Sequence, residues 1–170
     1  KVVSDNYSSK VLEVVKRPAE LATDTSKVID TVLHFLDDEY EQTWLTLPTS
    51  PMKIADDFTE ASKLLSDDSD SVLSFTEMEF PPTLGLTVDK HNTIKDYDAS
   101  EPWQHGNSRS QDHPTVYRPN GAIYGSWTTK LKENKNYYIG ETRGYFMPRN
   151  RSIDIDTQFD FDLAEFMMGK

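Results

Sequence analysis

The chain contains no cysteine, so it has neither a disulfide framework nor a thiolate metal site. It has no apolar run near the roughly 20 residues of a membrane helix and no signal-peptide pattern, and we expect a soluble, cytoplasmic protein with no membrane partner. The 18 basic residues form no block and the net charge is −11. Nucleic acid is therefore not an expected partner, because phosphate backbones are bound by clustered Lys and Arg.

Several motifs of catalytic and cofactor sites are also missing. There is no GxSxG elbow, no Walker loop and no GxGxxG fingerprint. The four histidines show no HxxH or HExxH spacing; His34 falls on an apolar helical pattern, and His91, His105 and His113 lie in a polar, proline-rich segment. A histidine metal site is therefore disfavoured.

What is present is the composition of one globular domain, which we assign to residues 1–170. Strands alternate with segments of helical periodicity, which indicates an α/β layer fold with a largely parallel sheet. The predicted strands lie near residues 1–9 and at 43–47, 72–78, 121–127, 144–148 and 152–156. The predicted helical segments are 10–16, 26–38, 54–65, 128–136 (a short helix or turn) and a closing helix after Thr157.

Two details of the helix ends can be predicted. Asp24 or Thr25 is placed to cap the helix over 26–38, and Thr157 with Asp160 forms a capping-box pattern. Residues 79–118 carry four prolines among polar residues, with Pro119 directly after them, and show little periodicity, which predicts an excursion from the sheet.

The stretch "SIDIDTQFDFD" places two carboxylates one residue apart in a β-type run. In a strand, Asp154 and Asp156 would share a face with Cα atoms about 6.5 to 7 Å apart, while Ile153 and Ile155 would face the core. Two oxygen donors at the carboxyl end of a strand suit Mg²⁺. The spacing is equally typical of two solvated surface aspartates, and a glycosidase pair has less support because no partner carboxylate is singled out.

Four sequence words, taken in order, resemble those of the acylneuraminate cytidylyltransferases, which activate sialic acid and related nonulosonic acids. They cover nearly the whole chain: "RPAELATDT" (17–25), "LPTSP" (47–51), "YRPNGAIY" (117–124) and "RSIDIDTQFDF" (151–161). The resemblance implies a three-layer Rossmann-like nucleotide-sugar transferase fold with a mostly parallel mixed sheet and a protruding dimerisation region at about 79–140. It also implies a homodimer.

The reaction implied by the resemblance joins CTP to the C2 hydroxyl of a nonulosonic acid, giving a CMP-sugar and pyrophosphate. Asp154 and Asp156 would then hold Mg²⁺ and be the catalytic carboxylates. Residues implied to contact the nucleotide are Arg17, Ala22, Thr23 and Asp24. Residues implied to contact the sugar are Arg109, Gln111, Asn120, Tyr124, Tyr137 and Tyr138.

The chain departs from the family pattern at three places. The glycine-rich, basic segment that holds the triphosphate does not occur after Lys1, and a chain that truly begins at Lys1 is expected not to turn over CTP. Leu47 stands where the family has Gln, and Ser110 where an Arg precedes Gln111. These changes leave open another ulosonic acid such as 3-deoxy-octulosonate, or a non-catalytic homologue that serves as a sugar-binding or assembly subunit. An unrelated acidic α/β domain is the remaining alternative.

Overall fold

The computed structural model describes residues 13–169, which form an α/β fold with a mixed four-stranded sheet. In the described residues the strands are β1 (Gln42–Leu45), β2 (Ser71–Glu77), β3 (Leu86–Val88), β4 (Ile94–Asp96), β5 (Tyr117–Trp127) and β6 (Thr142–Phe146). The main sheet has the order β1-β5-β2-β6, and β3 and β4 form a separate antiparallel pair. The α/β class is confirmed.

The prediction of a mostly parallel sheet is wrong. β5 is antiparallel to both β1 and β2, and only β2 and β6 run parallel. Parallel neighbours need a crossover connection, usually a helix. The connection from β2 to β5 instead passes through the proline-rich excursion, whose only regular pieces are short turns of 3₁₀ helix and the β3–β4 hairpin, and β5 returns beside β2 in the opposite direction.

Four α-helices accompany the sheet in the described part of the chain: α1 (Val28–Phe35), α2 (Ala55–Ser62), α3 (Thr128–Asn134) and α4 (Gln158–Met167). All four were predicted, although α1 and α2 are shorter than their periodic segments. None of these helices combines the length with the apolar character that crossing a membrane requires.

The predicted cap of α1 by Asp24 or Thr25 is wrong. The N-cap residue is Lys27, which makes no capping hydrogen bond through its side chain. The residues before it close a turn of their own, in which Ser26 Oγ accepts from Thr23 N at 3.1 Å and lies 2.7 Å from Thr23 Oγ1. The helix therefore begins after this turn is complete. The predicted N-terminal strand lies outside the described residues, and the described part of the segment 10–16 forms no helix.

The core of the domain lies between the central strands and α2. Its buried members are Ala61, Leu65, Val72, Ala122, Ile123 and Met147. Trp44 on β1 packs against this cluster and lies over Gly125 of β5. Three residues of the long central strand β5, Ala122, Ile123 and Gly125, thus lie in or against this core.

The predicted strand over residues 152–156 is also wrong. Pro148 lacks an N–H and precedes a 3₁₀ turn (Arg149–Arg151), which turns the chain away from the sheet after β6. Residues 152–156 pair with no strand; Ser152 N donates to Arg149 O at 3.0 Å within the turn, and Ile155 N donates to Thr49 O at 2.8 Å. Ile153 and Ile155 are half-buried rather than fully in the core.

The predicted capping box at the start of α4 is confirmed. Thr157 Oγ1 accepts from Asp160 N, and Asp160 Oδ2 accepts from Thr157 N at 2.8 Å and from the Thr157 hydroxyl at 2.7 Å. We predict that Thr157→Ala lowers the free energy of unfolding by about 1 kcal/mol, because the first turn of the helix loses a donor and an acceptor. Urea denaturation followed by circular dichroism measures this loss. Thr157→Ser keeps the hydroxyl and should retain most of the stability; an equal loss in both variants would contradict a capping role.

Candidate functional site

Asp154 and Asp156 lie together on the wall of an open cleft of about 750 Å³, which we call the carboxylate cleft. The two side chains face the same cleft, but not because of strand alternation, since the segment is irregular. The cleft is also lined by Glu79, Arg118, Arg149, Asn150, Ser152, Ile153, Asp160, Leu163 and Met167. The structure therefore brings together the two carboxylates that the sequence singled out.

The carboxylate of Asp154 rests on a glycine. Gly121 has a φ of +75°, and a Cβ placed there would lie 3.3 Å from both Asp154 Oδ2 and Ser50 Oγ. Asp154 Oδ1 is buried without a hydrogen-bond partner among the described residues. A buried carboxylate oxygen without a donor is costly, so it marks a position where a ligand cation would be accommodated.

Lys53 is a residue near Asp154 that the sequence analysis missed. Its Nζ donates to the carbonyl oxygens of Leu47 and Ser50, each at 2.6 Å, and so fixes the turn "LPTSP". Burial lowers the pKa of Lys53, and the nearby Asp154 carboxylate opposes that shift. The sequence signal for Lys53 was only its position two residues after the turn. This signal is weak, because lysine is common on protein surfaces.

Arg118 and Arg149 were likewise not predicted as site residues. Both approach one carboxylate: Arg118 Nη2 lies 3.2 Å and Arg149 Nε 3.9 Å from Glu79 Oε1. Two guanidinium groups against one carboxylate leave a net positive charge on the part of the cleft wall around Glu79. The cleft therefore carries an anionic and a cationic portion, a combination suited to a metal-bound phosphate.

The donor set at the cleft fits Mg²⁺. Within residues 13–169, no group of three or more His, Asp or Glu side chains is placed to hold a metal ion. Mg²⁺ does not require such a group, since it is usually held by one or two carboxylates together with substrate phosphates and water. The pair Asp154 and Asp156, with one unpartnered buried oxygen, meets that requirement.

A second space, which we call the apolar cavity, has a volume of about 400 Å³. Three residues predicted to contact the sugar, Tyr124, Tyr137 and Tyr138, lie on its wall. The other lining residues are Val28, Ile29, Leu45, Leu47, Leu73, Pro119 and Asn136. The rings of Tyr124 and Tyr137 are 5.6 Å apart, whereas Tyr138 is 75% exposed.

The tyrosine hydroxyls and Asn136 are the polar side-chain groups among the residues that line the apolar cavity. Tyr137 is 6% exposed and its hydroxyl has no partner among the described residues. Burial raises the pKa of Tyr137, so the phenol stays protonated and can donate to a ligand. Burial and the Asp154 carboxylate together raise the pKa of Tyr124. Tyr124 thus lines the apolar cavity while lying within electrostatic reach of Asp154.

Asn120, predicted as a sugar contact, is 1% exposed and makes its hydrogen bonds inside the protein. Its Oδ1 accepts from Ser74 Oγ at 2.6 Å and from Ala122 N at 3.2 Å, and its Nδ2 donates to Ser152 Oγ at 2.9 Å. A direct sugar contact would require some of these bonds to break. The geometry instead gives Asn120 a place beneath the carboxylate segment.

Arg109 and Gln111 lie in the excursion, apart from the tyrosines. Gln111 lines a polar cavity of about 260 Å³ with Glu77, Glu79 and His113 among its neighbours. With its amide oxygen turned toward Arg109, Gln111 accepts from Arg109 Nη2 at 2.8 Å. The structure brings these two residues together but does not place them on the apolar cavity.

The residues predicted to contact the nucleotide are all exposed: Arg17, Ala22, Thr23 and Asp24. They flank a 3₁₀ turn (Ala19–Leu21) in the described structure. They do not line the apolar cavity or the carboxylate cleft. Their role stays a prediction from the resemblance.

Comparison with known proteins was made on the whole chain. No protein-family model matches it. An N-acylneuraminate cytidylyltransferase of Streptococcus agalactiae is 35% identical over 154 residues, which is 88% of this chain and 36% of the relative. A CMP-N,N'-diacetyllegionaminic acid synthase of Legionella pneumophila is 31% identical over 160 residues, covering 89% of this chain and 67% of the relative.

A more distant relative is a pseudaminic acid cytidylyltransferase of Campylobacter jejuni, 24% identical over 168 residues that cover 98% of this chain and 66% of the relative. The chain thus spans about a third of the sialic acid relatives and about two thirds of the legionaminic and pseudaminic ones. The named sugars differ, but all three names describe formation of a cytidylyl sugar.

Proposed function

Since the chain belongs to the family of cytidylyltransferases that activate nonulosonic acids, we propose that the whole protein transfers CMP from CTP to a sialic-acid-like sugar. The observation that carries this proposal is the position of Tyr124. It lines the apolar cavity and follows Gly121 on β5, against which the Asp154 carboxylate rests, so a sugar in the cavity would have its reacting end near the carboxylate cleft. The reaction class needs this adjacency, because the sugar hydroxyl must meet the α-phosphorus.

Asp154 and Asp156 are the residues that would hold Mg²⁺. When bound, the ion would neutralise charge on phosphate oxygens and polarise the α-phosphorus toward the attacking hydroxyl. Gly121 leaves room for the Asp154 carboxylate against β5, and Ser50 lies beside the same carboxylate. Arg118 and Arg149 would attract the departing pyrophosphate, and Lys53 keeps the adjoining turn in place.

The apolar cavity is the proposed site for the acylamino substituent of the sugar. Its wall is mainly aliphatic and aromatic, which suits a methyl or longer acyl group. The Tyr137 hydroxyl would donate to the acyl carbonyl, satisfying a buried group that has no partner among the described residues. The cavity therefore favours an acylated ulosonic acid over a 3-deoxy-octulosonate, which has no acylamino group to fill it.

Three further features remain part of the proposal. The excursion, residues 79–118, exposes apolar side chains, as expected for a surface that a second subunit covers; they include Phe80, Leu86, Val88, Ile94, Tyr97 and Trp103. A homodimer would also explain why Arg109 and Gln111 do not line the apolar cavity of their own chain, if they serve the partner's sugar. A cytoplasmic location stays a prediction from the sequence.

Pyrophosphate release tests the function. The full-length natural protein is incubated with CTP, Mg²⁺ and, in turn, N-acetylneuraminate, a diacetyllegionaminic acid, a pseudaminic acid and 3-deoxy-octulosonate. We expect release with an acylated sugar, and its loss when the metal is chelated. No release with any sugar, from protein that still binds one of them, would contradict the enzyme and support a non-catalytic sugar-binding subunit.

Leu47 should help set the sugar preference, because it lines the apolar cavity at a position where the resemblance to the family implies Gln. We predict that Leu47→Gln raises the KM for the preferred acylated sugar about tenfold, since a polar group introduced without a partner costs about 1 to 3 kcal/mol. Steady-state kinetics at saturating CTP measure this change. Leu47→Met conserves volume and polarity and serves as the control. An unchanged sugar KM in Leu47→Gln would exclude a contact with the substrate.

A further inference from the structure

The segment that carries Asp154 and Asp156 is held in place from beneath by side chains. Residues 152–156 have no strand partner, so ladder hydrogen bonds do not set their position. Two buried groups contact the chain immediately before Asp154. They are Asp57, which binds Arg151, and Asn120, which binds Ser152.

Asp57 joins three elements through a single carboxylate. It is 1% exposed and stands in the first turn of α2, where its Oδ2 accepts from Ile54 N at 2.8 Å. The same Oδ2 accepts from Arg151 Nη1 at 2.7 Å, and Oδ1 accepts from the Tyr145 hydroxyl of β6 at 2.9 Å. Burial opposes ionisation of Asp57, but these three donors outweigh it and hold its pKa below the ordinary value.

Arg151 is the link from this carboxylate to the cleft. It ends the 3₁₀ turn and precedes Asp154 by three residues, yet neither Arg151 nor Asp57 lines the carboxylate cleft. The next residue, Ser152, is 2% exposed; its hydroxyl accepts from Asn120 and donates to Pro148 O at 3.0 Å. The turn is thus fixed on one side by a charged pair and on the other by a neutral network.

A charged pair at this place is not explained by stability alone. An ion pair taken out of water gains little over well-packed apolar side chains, because both charges lose hydration. The pair instead restricts geometry. A guanidinium that is hydrogen-bonded to a fixed carboxylate limits the positions that the backbone after Arg151 can take. Groups that orient metal-binding side chains in this way commonly alter affinity when removed.

We propose that Asp57 and Arg151 are positioning residues for the Asp154 and Asp156 carboxylates, which they align for a divalent cation without contacting it. The part that concerns the cation rests on the proposed function. The part that concerns the position of the segment does not. The two parts therefore need separate measurements.

The first measurement reads the position of the segment without any metal. Amide hydrogen exchange is followed by NMR at Ile155, whose N–H donates to Thr49 O at 2.8 Å. We expect exchange at least tenfold faster in Arg151→Gln and Asp57→Asn, with core amides such as those of Val72 and Ile123 unchanged. Arg151→Lys should restore part of the protection. Unaltered exchange at Ile155 in folded Arg151→Gln would overturn the proposal.

The second measurement is of cation affinity. Mn²⁺ is the probe, and the electron paramagnetic resonance signal of the free ion gives the fraction that is bound. Arg151→Gln and Asp57→Asn should bind Mn²⁺ about 10-fold more weakly than the parent protein. Glu60→Gln is the matched control, because it breaks an exposed ion pair with Lys63 on the same helix, at 2.6 Å. Equal Mn²⁺ affinity in Arg151→Gln and Glu60→Gln would overturn the proposal that Asp57 and Arg151 align the carboxylates for a cation.

Two outcomes separate this inference from the proposed function. A parent protein that shows no Mn²⁺ binding would contradict the metal site, while the exchange at Ile155 would still decide whether the pair positions the segment. Should Arg151→Gln or Asp57→Asn fail to fold, Tyr145→Phe removes one donor to Asp57 and keeps both charges. It should then give a smaller acceleration at Ile155; no acceleration would count against the network.

Discussion

Replacing Asp154 by Asn should reduce CTP turnover by the full-length protein at least 100-fold, equivalent to about 2.7 kcal/mol of transition-state stabilisation. Asn has the shape of Asp, so it should still rest on Gly121 beside Ser50. What disappears is the negative charge at a buried position where Oδ1 has no partner among the described residues. Without that charge the cleft retains one carboxylate of the pair that would hold Mg²⁺.

Turnover at saturating CTP and sugar, measured over a range of Mg²⁺ concentrations, tests this expectation. The Mg²⁺ requirement should shift to higher concentrations together with the fall in rate. Asp162→Asn is the matched control: it makes the same charge change on α4, where Asp162 accepts from Gln158 Nε2 and does not line the cleft. Asp154→Asn turnover within tenfold of the control would exclude Asp154 from the reaction.

The carboxylate pair shows how a correct prediction can rest on a wrong intermediate. Sequence spacing predicted that Asp154 and Asp156 face the same way because they lie on a strand. The segment is irregular, yet both side chains line one cleft. Their position depends on Asp57 and Asn120, which are distant in sequence and gave no periodic or motif signal. Such tertiary hydrogen bonds cannot be derived from local propensity.

Helix periodicity was the most informative signal, because α1 and α2 each turn one apolar face toward the protein and so leave a 3.6-residue pattern in the sequence. That face is half-buried in α1 and includes the buried Ala61 in α2. Strand direction left no such pattern. The alternation of helices and strands suggested parallel pairing, but β5 enters after the excursion without a crossover helix and pairs antiparallel on both sides. Composition alone cannot distinguish these topologies.

The residues around the two cavities also include some that the sequence predicted and others that only the fold reveals. Tyr124, Tyr137 and Tyr138 were predicted from the family resemblance and meet at the apolar cavity. Lys53 was missed, because its importance comes from two carbonyl oxygens and a carboxylate that only the fold brings near. Asn120 shows the converse. It lies in a characteristic word, but its side chain is buried in a network that supports the site.

Gly125→Ala should destabilise the fold by about 2 to 3 kcal/mol, the upper part of the range for overpacking a well-filled core. A Cβ at this position would lie 2.3 Å from Trp44 Cζ3 and 2.5 Å from Cε3. The ring cannot withdraw freely, because it packs against the buried cluster and its Nε1 donates to Gln42 Oε1 at 3.1 Å. Either β1 separates from β5 or the indole leaves the core.

Urea denaturation of a double-mutant cycle distinguishes this steric cause from a general cost of replacing glycine. Trp44→Leu removes the ring, so Gly125→Ala should be much less damaging in that background, and the two effects should not add. Gly106→Ala is the matched control, because its Cβ would meet nothing within 4 Å and its φ of +73° brings only a conformational cost of about 1 to 2 kcal/mol. If Gly125→Ala lost the same stability with and without Trp44, contact with the ring would not be the reason for glycine here. The consequence for the site is direct: Leu45 of β1 and Tyr124 of β5 are paired and both line the apolar cavity, so a displaced β1 would move that wall.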